Sequence, residues 1–244
     1  MPDLSCEHIQ AHVAAALAED IGEGDVTTNA LVDAQRRCQG HIVSRELLNY
    51  CGRDLIETVF QRIDAEAVIT HFHSDGDEVP AGAIIATIDA SARALLTGER
   101  TALNYAQRLS GVATQAARYV AAVSGTGVLL LDTRKTTPGW RDLEKYAVQC
   151  GGARNHRHGL DDMVMIKDNH LAALQGNNRI ASAIERCREA HPNLKIEVEA
   201  DTPIQARQAA ESGADIILLD NMTLDELRES VALIDNRSQI EASG

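Results

Sequence analysis

Aromatic side chains and cations are both scarce in this chain of 244 residues. Aromatics make up 3% of the sequence, while alanine is abundant, a composition that favours helices packed closely against a sheet. Lys and Arg number 23 against 36 Asp and Glu, so the formal net charge is −13 at pH 7. General nucleic-acid and anionic-membrane binders rely on an excess of Lys and Arg. The charge balance therefore argues against both classes.

The sequence also lacks the patterns of secreted and membrane proteins. No basic stretch followed by an apolar stretch opens the chain, and no apolar run approaches about 18 residues. The cysteines are scattered, odd in number and form no CxxC pair, which is typical of reduced thiols. We therefore predict a soluble, cytoplasmic protein. The cysteines are Cys6, Cys38, Cys51, Cys150 and Cys187.

One segment runs against the acidic average. Residues 134–170 hold seven Lys or Arg and five Asp or Glu, so this segment is +2 and the rest of the chain is −15. Arginine offers a planar fork that pairs with a carboxylate or phosphate through two hydrogen bonds, and lysine offers a compact point charge. A local cationic pocket in an acidic protein suits a small anionic ligand. An internal salt-bridge network is the alternative interpretation.

The first part of the chain predicts a small domain of mixed secondary structure over residues 1–105. Residues 5–18 carry apolar side chains at helical spacing, and residues 19–31 are rich in Gly and acids, which indicates a loop. Strand-like stretches follow in GHIVS, EAVITHFH and AIIATID. A long helical pattern then covers residues 91–125 and ends at two glycines.

The remainder, residues 106–244, alternates strands and helices. Thr202 followed by Pro203 marks one helix start, and Thr223 with Glu226 has capping-box spacing at another. This alternation predicts an α/β fold with parallel strands and right-handed crossovers. The predicted strands are VLLLDT (128–133), MVMIKD (163–168), KIEVEA (195–200), DIILLD (215–220) and QIEASG (239–244).

Polar residues occur at the end of every one of these strands. In parallel α/β barrels the C-terminal strand ends face the active site. Five polar clusters on successive strands therefore predict a single site. The clusters are Asp132 to Lys135, Lys167 to His170, Glu197 and Glu199, Asp220 with Asn221, and Glu241.

Long motifs along the chain, from about residue 17 to its end, resemble the quinolinate phosphoribosyltransferases, also called carboxylating nicotinate-nucleotide pyrophosphorylases. The resemblance lies in EDIGEGDVTT, LLTGERTALNYAQRLSGVAT, DTRKTTPGWRDLEKYAVQCGGARNHRHGLDDMVMIKDNH, LLDNM and EASG. It implies an N-terminal α/β sandwich domain over 1–105 and an incomplete six-stranded parallel α/β barrel over 106–244. It also implies a homodimer that joins quinolinate to phosphoribosyl pyrophosphate with Mg²⁺, giving nicotinate mononucleotide, pyrophosphate and CO₂ for NAD biosynthesis.

The resemblance further implies roles for individual residues. Arg134, His156, Arg157 and Lys167 are expected to hold the quinolinate carboxylates, and Arg100 to reach the partner subunit's site. Thr133 and Lys135 are expected at the mouth, with Lys135 near the phosphoribosyl substrate. Glu199 and Asp220 are expected to bind ribose hydroxyls and Mg²⁺, and Ser243 with Gly244 to begin a phosphate-binding loop. Lys135, Lys167, Glu199 and Asp220 are the expected catalytic residues.

The chemistry fits this assignment independently. Displacing pyrophosphate from an anomeric carbon passes through an oxocarbenium-like centre, which carboxylates stabilise. The leaving pyrophosphate requires Mg²⁺ and lysine. Once the ring nitrogen is alkylated, the pyridinium is itself an electron sink for loss of the adjacent carboxylate, so we expect no organic cofactor.

The resemblance also implies a further helix, a sixth strand and a closing helix beyond residue 244. Only five barrel strands are therefore expected here, with an unpaired edge at the fifth and part of the phosphate loop missing. On this expectation the 244-residue chain keeps much of its quinolinate pocket but binds phosphoribosyl pyrophosphate poorly and turns over little.

Three alternatives stay open. Lys167 at a strand end is also the position of a Schiff-base lysine in an aldolase-type lyase. A repurposed paralogue associated with molybdenum transport is another possibility within the same family. His71 and His73, with Asp75 beyond, form a weaker candidate metal pair on one strand face.

Overall fold

The computed structural model describes residues 4–244, which divide between His156 and Arg157 into two compact units. The first unit holds two antiparallel sheets, ordered β1-β5-β3 and β2-β4. Its helices are α1 (Cys6–Ile21), α2 (Val26–Leu31), α3 (Arg53–Ile63), α4 (Ala92–Ala122) and α5 (Arg141–Cys150). Its strands are β1 (Arg37–Val43), β2 (Leu48–Asn49), β3 (Val68–His71), β4 (Glu78–Val79) and β5 (Ile84–Ser91).

One apolar core holds the first unit together. It collects the inward faces of α1, α3, α4 and α5 with those of β4 and β5. Its largest fully buried side chains include Tyr50, Tyr105, Leu109 and Leu143. Small residues of α4 allow close packing: a Cβ added at Gly98 would lie 2.9 Å from Ile63 Cδ1. This agrees with the alanine-rich, aromatic-poor composition.

Two local predictions in the first unit were wrong. The supposed loop over residues 19–31 contains α2, because the Asp25 side chain accepts a hydrogen bond from Thr28 N at 2.9 Å and caps the helix. The supposed strand over residues 128–133 makes a single parallel bridge, Leu131 to Arg154, within the described part of the chain. Arg154 donates to Leu130 O and accepts from Asp132 N, and the pairing goes no further.

The second unit is a parallel sheet with helical crossovers. Its strands are β6 (Val164–Ile166), β7 (Ile196–Ala200), β8 (Ile216–Asp220) and β9 (Gln239–Ser243), in that spatial order. Its helices are α6 (Asp168–Ala172), α7 (Arg179–Ala190), α8 (Pro203–Glu211) and α9 (Leu224–Ile234). The predicted caps are confirmed: Thr202 accepts from Gln205 N, and Thr223 with Glu226 forms a capping box.

The two faces of this sheet differ in chemistry. Ile166, Val198, Ile217 and Leu219 lie on the face that packs against helices α7, α8 and α9 in a second apolar core. Alternate residues point to the opposite face, and paired residues of parallel strands share a face. Glu199 pairs with Leu218, and Asp220, two residues further along the same strand, pairs with Ser243. The side chains of Glu199, Asp220 and Ser243 therefore lie on this opposite face.

The α/β class and the parallel strands predicted for the second part of the chain are confirmed. Of the five strands predicted for the parallel sheet, four are present, since residues 128–133 supply only the isolated bridge. The predicted domain boundary between residues 105 and 106 lies inside α4.

Candidate active site

In the first unit, the candidate site residues stand on the segment that follows Leu131. Asp132 is the anchor of this segment: its Oδ1 accepts from Lys145 Nζ at 2.5 Å and from His156 N at 2.8 Å. Its Oδ2 accepts from Asn155 Nδ2 at 2.5 Å. The side chains of Asp132 and Lys145 are both only 7% exposed. The carboxylate of Asp132 therefore links the start of this segment to Lys145, Asn155 and His156.

A second buried carboxylate holds the far end of this segment. Glu144 accepts from Thr137 Oγ1 at 2.8 Å, from Thr137 N at 3.1 Å and from Arg108 at 2.7 Å. Burial acts to raise the pKa of Glu144, but the hydrogen bonds from Arg108 and Thr137 outweigh it and hold that pKa below its usual value. Glu144 is therefore an ionised clamp on the segment at neutral pH.

Between these anchors lie the predicted ligand-binding residues Thr133, Arg134 and Lys135. Thr133 and Lys135 are exposed, and Thr133 Oγ1 accepts from Lys135 N at 3.0 Å. Arg134 is half-buried, and its Nε is buried without a hydrogen-bond partner among the residues that the structure describes. Thr137 lines a cavity of about 560 Å³ with Arg108 and Trp140. The segment thus presents one arginine donor and one lysine for an anion.

In the second unit, the predicted residues meet on the polar face of the parallel sheet. Lys167 directly follows β6, and its Nζ donates to Glu199 Oε2 on the neighbouring strand. The Lys167 side chain is 40% exposed, and that of Glu199 is 12% exposed. The pair is therefore open to solvent on the lysine side.

Three carboxylates converge beside Lys167. Ligand oxygens of Glu199, Asp201 and Asp220 all lie within 4.8 Å of one another. Mg²⁺ prefers oxygen ligands and retains several waters, so it needs only one or two carboxylates. These residues fit such an ion. The sequence analysis named Glu199 and Asp220 but missed Asp201, which directly follows β7 and so also carried the strand-end signal.

The ends of β8 and β9 form the rim of this cluster. Ser243 Oγ donates to Asp220 Oδ1, and Asn221 Nδ2 donates to Asp220 Oδ2 at 2.7 Å. Asn221 has a positive φ of 52°, and a Cβ on Gly244 would lie 3.2 Å from its Cα. Ser243 and Gly244 therefore lie directly beside the carboxylate cluster.

Three further predicted residues are described by their own contacts. Arg157 belongs to the second unit and contacts Met163 O at 3.4 Å and Met165 Sδ at 3.1 Å. Arg100 is exposed on α4 of the first unit. His156 is half-buried and contributes its main chain to the Asp132 anchor.

The histidine metal pair is not supported. No group of metal-ligand residues in the described chain includes His71 or His73. Asp75 instead accepts from Gly52 N and Arg53 N, which caps α3, and from Tyr146 Oη. Within residues 4–244, no helix is both long and apolar enough to cross a membrane.

Comparisons with known proteins identify the family of this chain. The model of the quinolinate phosphoribosyl transferase N-terminal domain matches residues 25–110, and that of the C-terminal domain matches residues 112–244. The chain belongs to this family. The polar sheet face and the anchored cationic segment therefore lie in the C-terminal family domain.

Individual relatives and structures support the same family. A probable carboxylating nicotinate-nucleotide pyrophosphorylase of Bacillus subtilis is 41% identical over 227 residues, covering 93% of this chain and 77% of the relative. The crystal structure of NadC from Streptococcus pyogenes has a TM-score of 0.95 at 40% identity, covering 100% of this chain and 86% of that one. The nicotinate-nucleotide pyrophosphorylase from Francisella tularensis has a TM-score of 0.94 at 37% identity, covering 99% and 85%.

Proposed function

We propose that this chain is a carboxylating nicotinate-nucleotide pyrophosphorylase that serves NAD biosynthesis. It transfers a phosphoribosyl group from phosphoribosyl pyrophosphate to the ring nitrogen of quinolinate, releasing pyrophosphate and CO₂ and yielding nicotinate mononucleotide. The observation that carries the proposal is the carboxylate cluster of Glu199, Asp201 and Asp220 beside Lys167, in a chain of this family. In the first unit, Arg134 and Lys135 are the cations that we assign to anionic groups of the substrates.

The dicarboxylate is the expected ligand of the cations. We assign its carboxylates to Arg134, His156, Arg157 and Lys167. The buried, unbonded Nε of Arg134 supports this role, because a buried donor without a partner is costly and an anion satisfies it. Lys135 and Thr133, both exposed on the same segment, are assigned to the phosphoribosyl substrate.

The ribose is the expected ligand of the carboxylates. As pyrophosphate departs, positive charge develops at the anomeric carbon and its ring oxygen, and fixed negative charge nearby stabilises that state. Glu199 and Asp220 lie on adjacent strands and supply this charge along with hydrogen-bond acceptors for the hydroxyls. Ser243 and Gly244, next to Asp220, are assigned to the phosphate.

The carboxylate cluster also suits Mg²⁺, with Glu199 and Asp220 as proposed ligands and Asp201 as an additional one. When bound, the ion neutralises the charge of the leaving pyrophosphate. Lys167 already neutralises Glu199, so the chain itself balances part of the negative charge here. The proposed reaction needs no organic cofactor, because the alkylated pyridinium takes the electron pair left by CO₂.

We further propose a homodimer with a shared active site. Arg100 is exposed on α4 and belongs to neither polar group, which supports a role in a partner's site. Mixing an Arg100→Ala chain with an Arg134→Ala chain should restore part of the activity, since one hybrid site would hold both arginines. No gain over the separate mutants, after subunit exchange is confirmed, would contradict the shared site. The division into domains 1–105 and 106–244 and the cytoplasmic location stay predictions.

Turnover of the purified chain tests the function directly. We expect quinolinate and phosphoribosyl pyrophosphate to give nicotinate mononucleotide and one CO₂ per turnover, with dependence on Mg²⁺. Nicotinate in place of quinolinate is the control and should react poorly. A Glu199→Ala/Asp220→Ala variant should still bind quinolinate but no longer bind phosphoribosyl pyrophosphate. Absence of product from the wild-type chain, with neither substrate bound, would overturn the proposal.

Two further measurements separate the alternative functions. A Schiff-base lyase requires a free Lys167 amine, whereas Lys167 Nζ is in an ion pair with Glu199. Borohydride in the presence of carbonyl substrates should therefore leave the mass of the protein unchanged. A repurposed paralogue would bind a different ligand and show no preference for the dicarboxylate quinolinate over nicotinate.

A further inference from the structure

One face of α5 contacts the segment of residues 132–137, which carries the cations Arg134 and Lys135. Arg141, Glu144 and Lys145 are spaced i, i+3 and i+4, so their side chains share a face of the helix. Arg141 Nε donates to Thr136 Oγ1 at 3.2 Å, and Glu144 accepts from Thr137. Lys145 Nζ donates to Asp132 Oδ1 at the start of the segment. Three neighbouring residues thus fix both ends of the segment that carries Thr133, Arg134 and Lys135.

Lys145 also joins this segment to the second cationic stretch of the sequence. Its Nζ donates to Asp132 Oδ1 at 2.5 Å and to the main-chain oxygen of His156 at 3.0 Å. Asp132 in turn accepts from His156 N, and Asn155 donates to both Asp132 Oδ2 and Lys145 O. The Lys145 ammonium and the Asp132 carboxylate therefore fix the position of Asp132 relative to His156.

A buried ion pair is a poor device for stability alone. Removing two charges from water is costly, and well-packed apolar residues often serve stability equally well. The best-attested use of buried polar groups is to fix one register among several. The Lys145–Asp132 pair has that character, because its remaining hydrogen bonds join it to the side-chain amide of Asn155 and to the main chain of His156.

We propose that Lys145 is a positioning residue for dicarboxylate recognition. Through Asp132 it holds the Thr133–Lys135 segment in a fixed position relative to His156. This inference rests on the proposed function, in which those cations hold the two carboxylates of quinolinate. Glu144 has the same role at the far end of the segment. Neither residue is assigned any contact with substrate.

The test compares the affinities of quinolinate and nicotinate, which differ by one carboxylate. An Asp132→Asn/Lys145→Met variant removes both charges together, so no lone charge remains buried. We expect the ratio of the two affinities to fall by about ten-fold, the scale of one charge-assisted hydrogen bond. Glu144→Gln should lower it less. Lys195→Met is the matched control: this lysine is exposed in the second unit, its Nζ donates to Gln239 Oε1, and the affinity ratio should not change.

A purely structural role predicts a different result. In that case the double variant would melt at a different temperature but keep the wild-type affinity ratio when measured well below the melting range. That outcome would overturn the inference. If the wild-type chain shows no preference for quinolinate, the proposed function fails instead, and a measurement without substrate decides the positioning.

Amide hydrogen exchange provides that measurement. In the double variant, amides in 132–137 and 154–156 should exchange about ten-fold faster or more, and together, because the same pair holds both stretches. Amides of β1 and β5 should keep their rates. Unchanged exchange in both stretches would refute the positioning role whatever the substrate is.

Discussion

A lysine–carboxylate pair occurs in each unit among the residues that the structure describes, and the two pairs differ in their exposure to solvent. In the first unit, Lys145 and Asp132 are each 7% exposed and bond to main-chain groups around them. In the second unit, Lys167 is 40% exposed and Glu199 12% exposed, on the polar face of the parallel sheet. The same two functional groups are therefore buried in the first unit and open to solvent, on the lysine side, in the second.

The difference shows how the surroundings decide what an ion pair does. The buried pair forms hydrogen bonds with other groups of the protein, including the main chain of His156, so it fixes the backbone there. Glu199 has Asp201 and Asp220 within 4.8 Å, and like charges so close favour a cation among them. The open pair is thus adapted to a ligand, and the buried pair to the geometry of the residues around it.

The largest expected effect separates the two pairs by stability. Lys145→Met should lower the free energy of unfolding by about 3–5 kcal/mol, because it leaves the Asp132 charge buried without its cation. Lys167→Met should lower it by about 1 kcal/mol or less, since its pair is partly exposed. Urea unfolding at pH 7, followed by circular dichroism, measures both. Equal losses for the two variants would break the comparison.

The second prediction tests the ligand side. Arg157→Ala should weaken quinolinate binding by about 1.5–3 kcal/mol, the scale of a hydrogen bond to a charged group. Arg154→Ala is the matched control, because its exposed side chain lies three residues away and is assigned no contact with substrate. Isothermal titration with quinolinate measures both. An unchanged dissociation constant for Arg157→Ala would remove that residue from the site.

The sequence was sufficient for the elements whose causes are local. Strands of the parallel sheet appear as apolar runs, and the caps at Thr202 and Thr223 are visible as single residues before each helix. The strand-end rule also located Lys167, Glu199 and Asp220, since the carboxyl ends of parallel strands meet at one edge.

What the sequence analysis missed depends on long-range contacts. Residues 128–133 have strand composition, but a strand needs a partner along its length, and here pairing stops after Leu131. The buried network of Asp132, Glu144 and Lys145 was also missed, because charged residues on a helix more often face water. Their pairing at 7% exposure depends on how α5 packs, which its own periodicity does not reveal.

The third prediction concerns pH and the other carboxylate on the buried face of α5. Replacing Glu144 by Gln sets an amide donor against donors of Thr137 or Arg108 and should cost about 1–3 kcal/mol at pH 7. Because the pKa of Glu144 is lowered on folding, its contribution is complete above the unfolded pKa of about 4.3 and is lost as pH falls through the lower folded value.

Unfolding of both proteins between pH 7 and pH 3 checks this sign. The stability of wild type should fall more steeply than that of Glu144→Gln below about pH 4.3, so the gap between them narrows. Glu226→Gln in the second unit is the control for a capping carboxylate that is exposed at the surface. A gap that widens on acidification would contradict the assignment of Glu144 as an ionised clamp.

The smallest expected effect is the coupling energy of the open pair. A double-mutant cycle with Lys167→Met and Glu199→Gln should give about 0.2–1 kcal/mol at low salt. Raising the ionic strength shortens the screening length from about 10 Å at 0.1 M to about 3 Å at 1 M. The coupling should therefore shrink towards zero in 1 M NaCl. The matched cycle at Lys145 and Asp132 should keep its coupling, because both side chains are almost fully buried. If the coupling of Lys167 to Glu199 were several kcal/mol and insensitive to salt, that pair would hold structure as the buried one does, and the carboxylates beside it would be less available to a cation or a ribose.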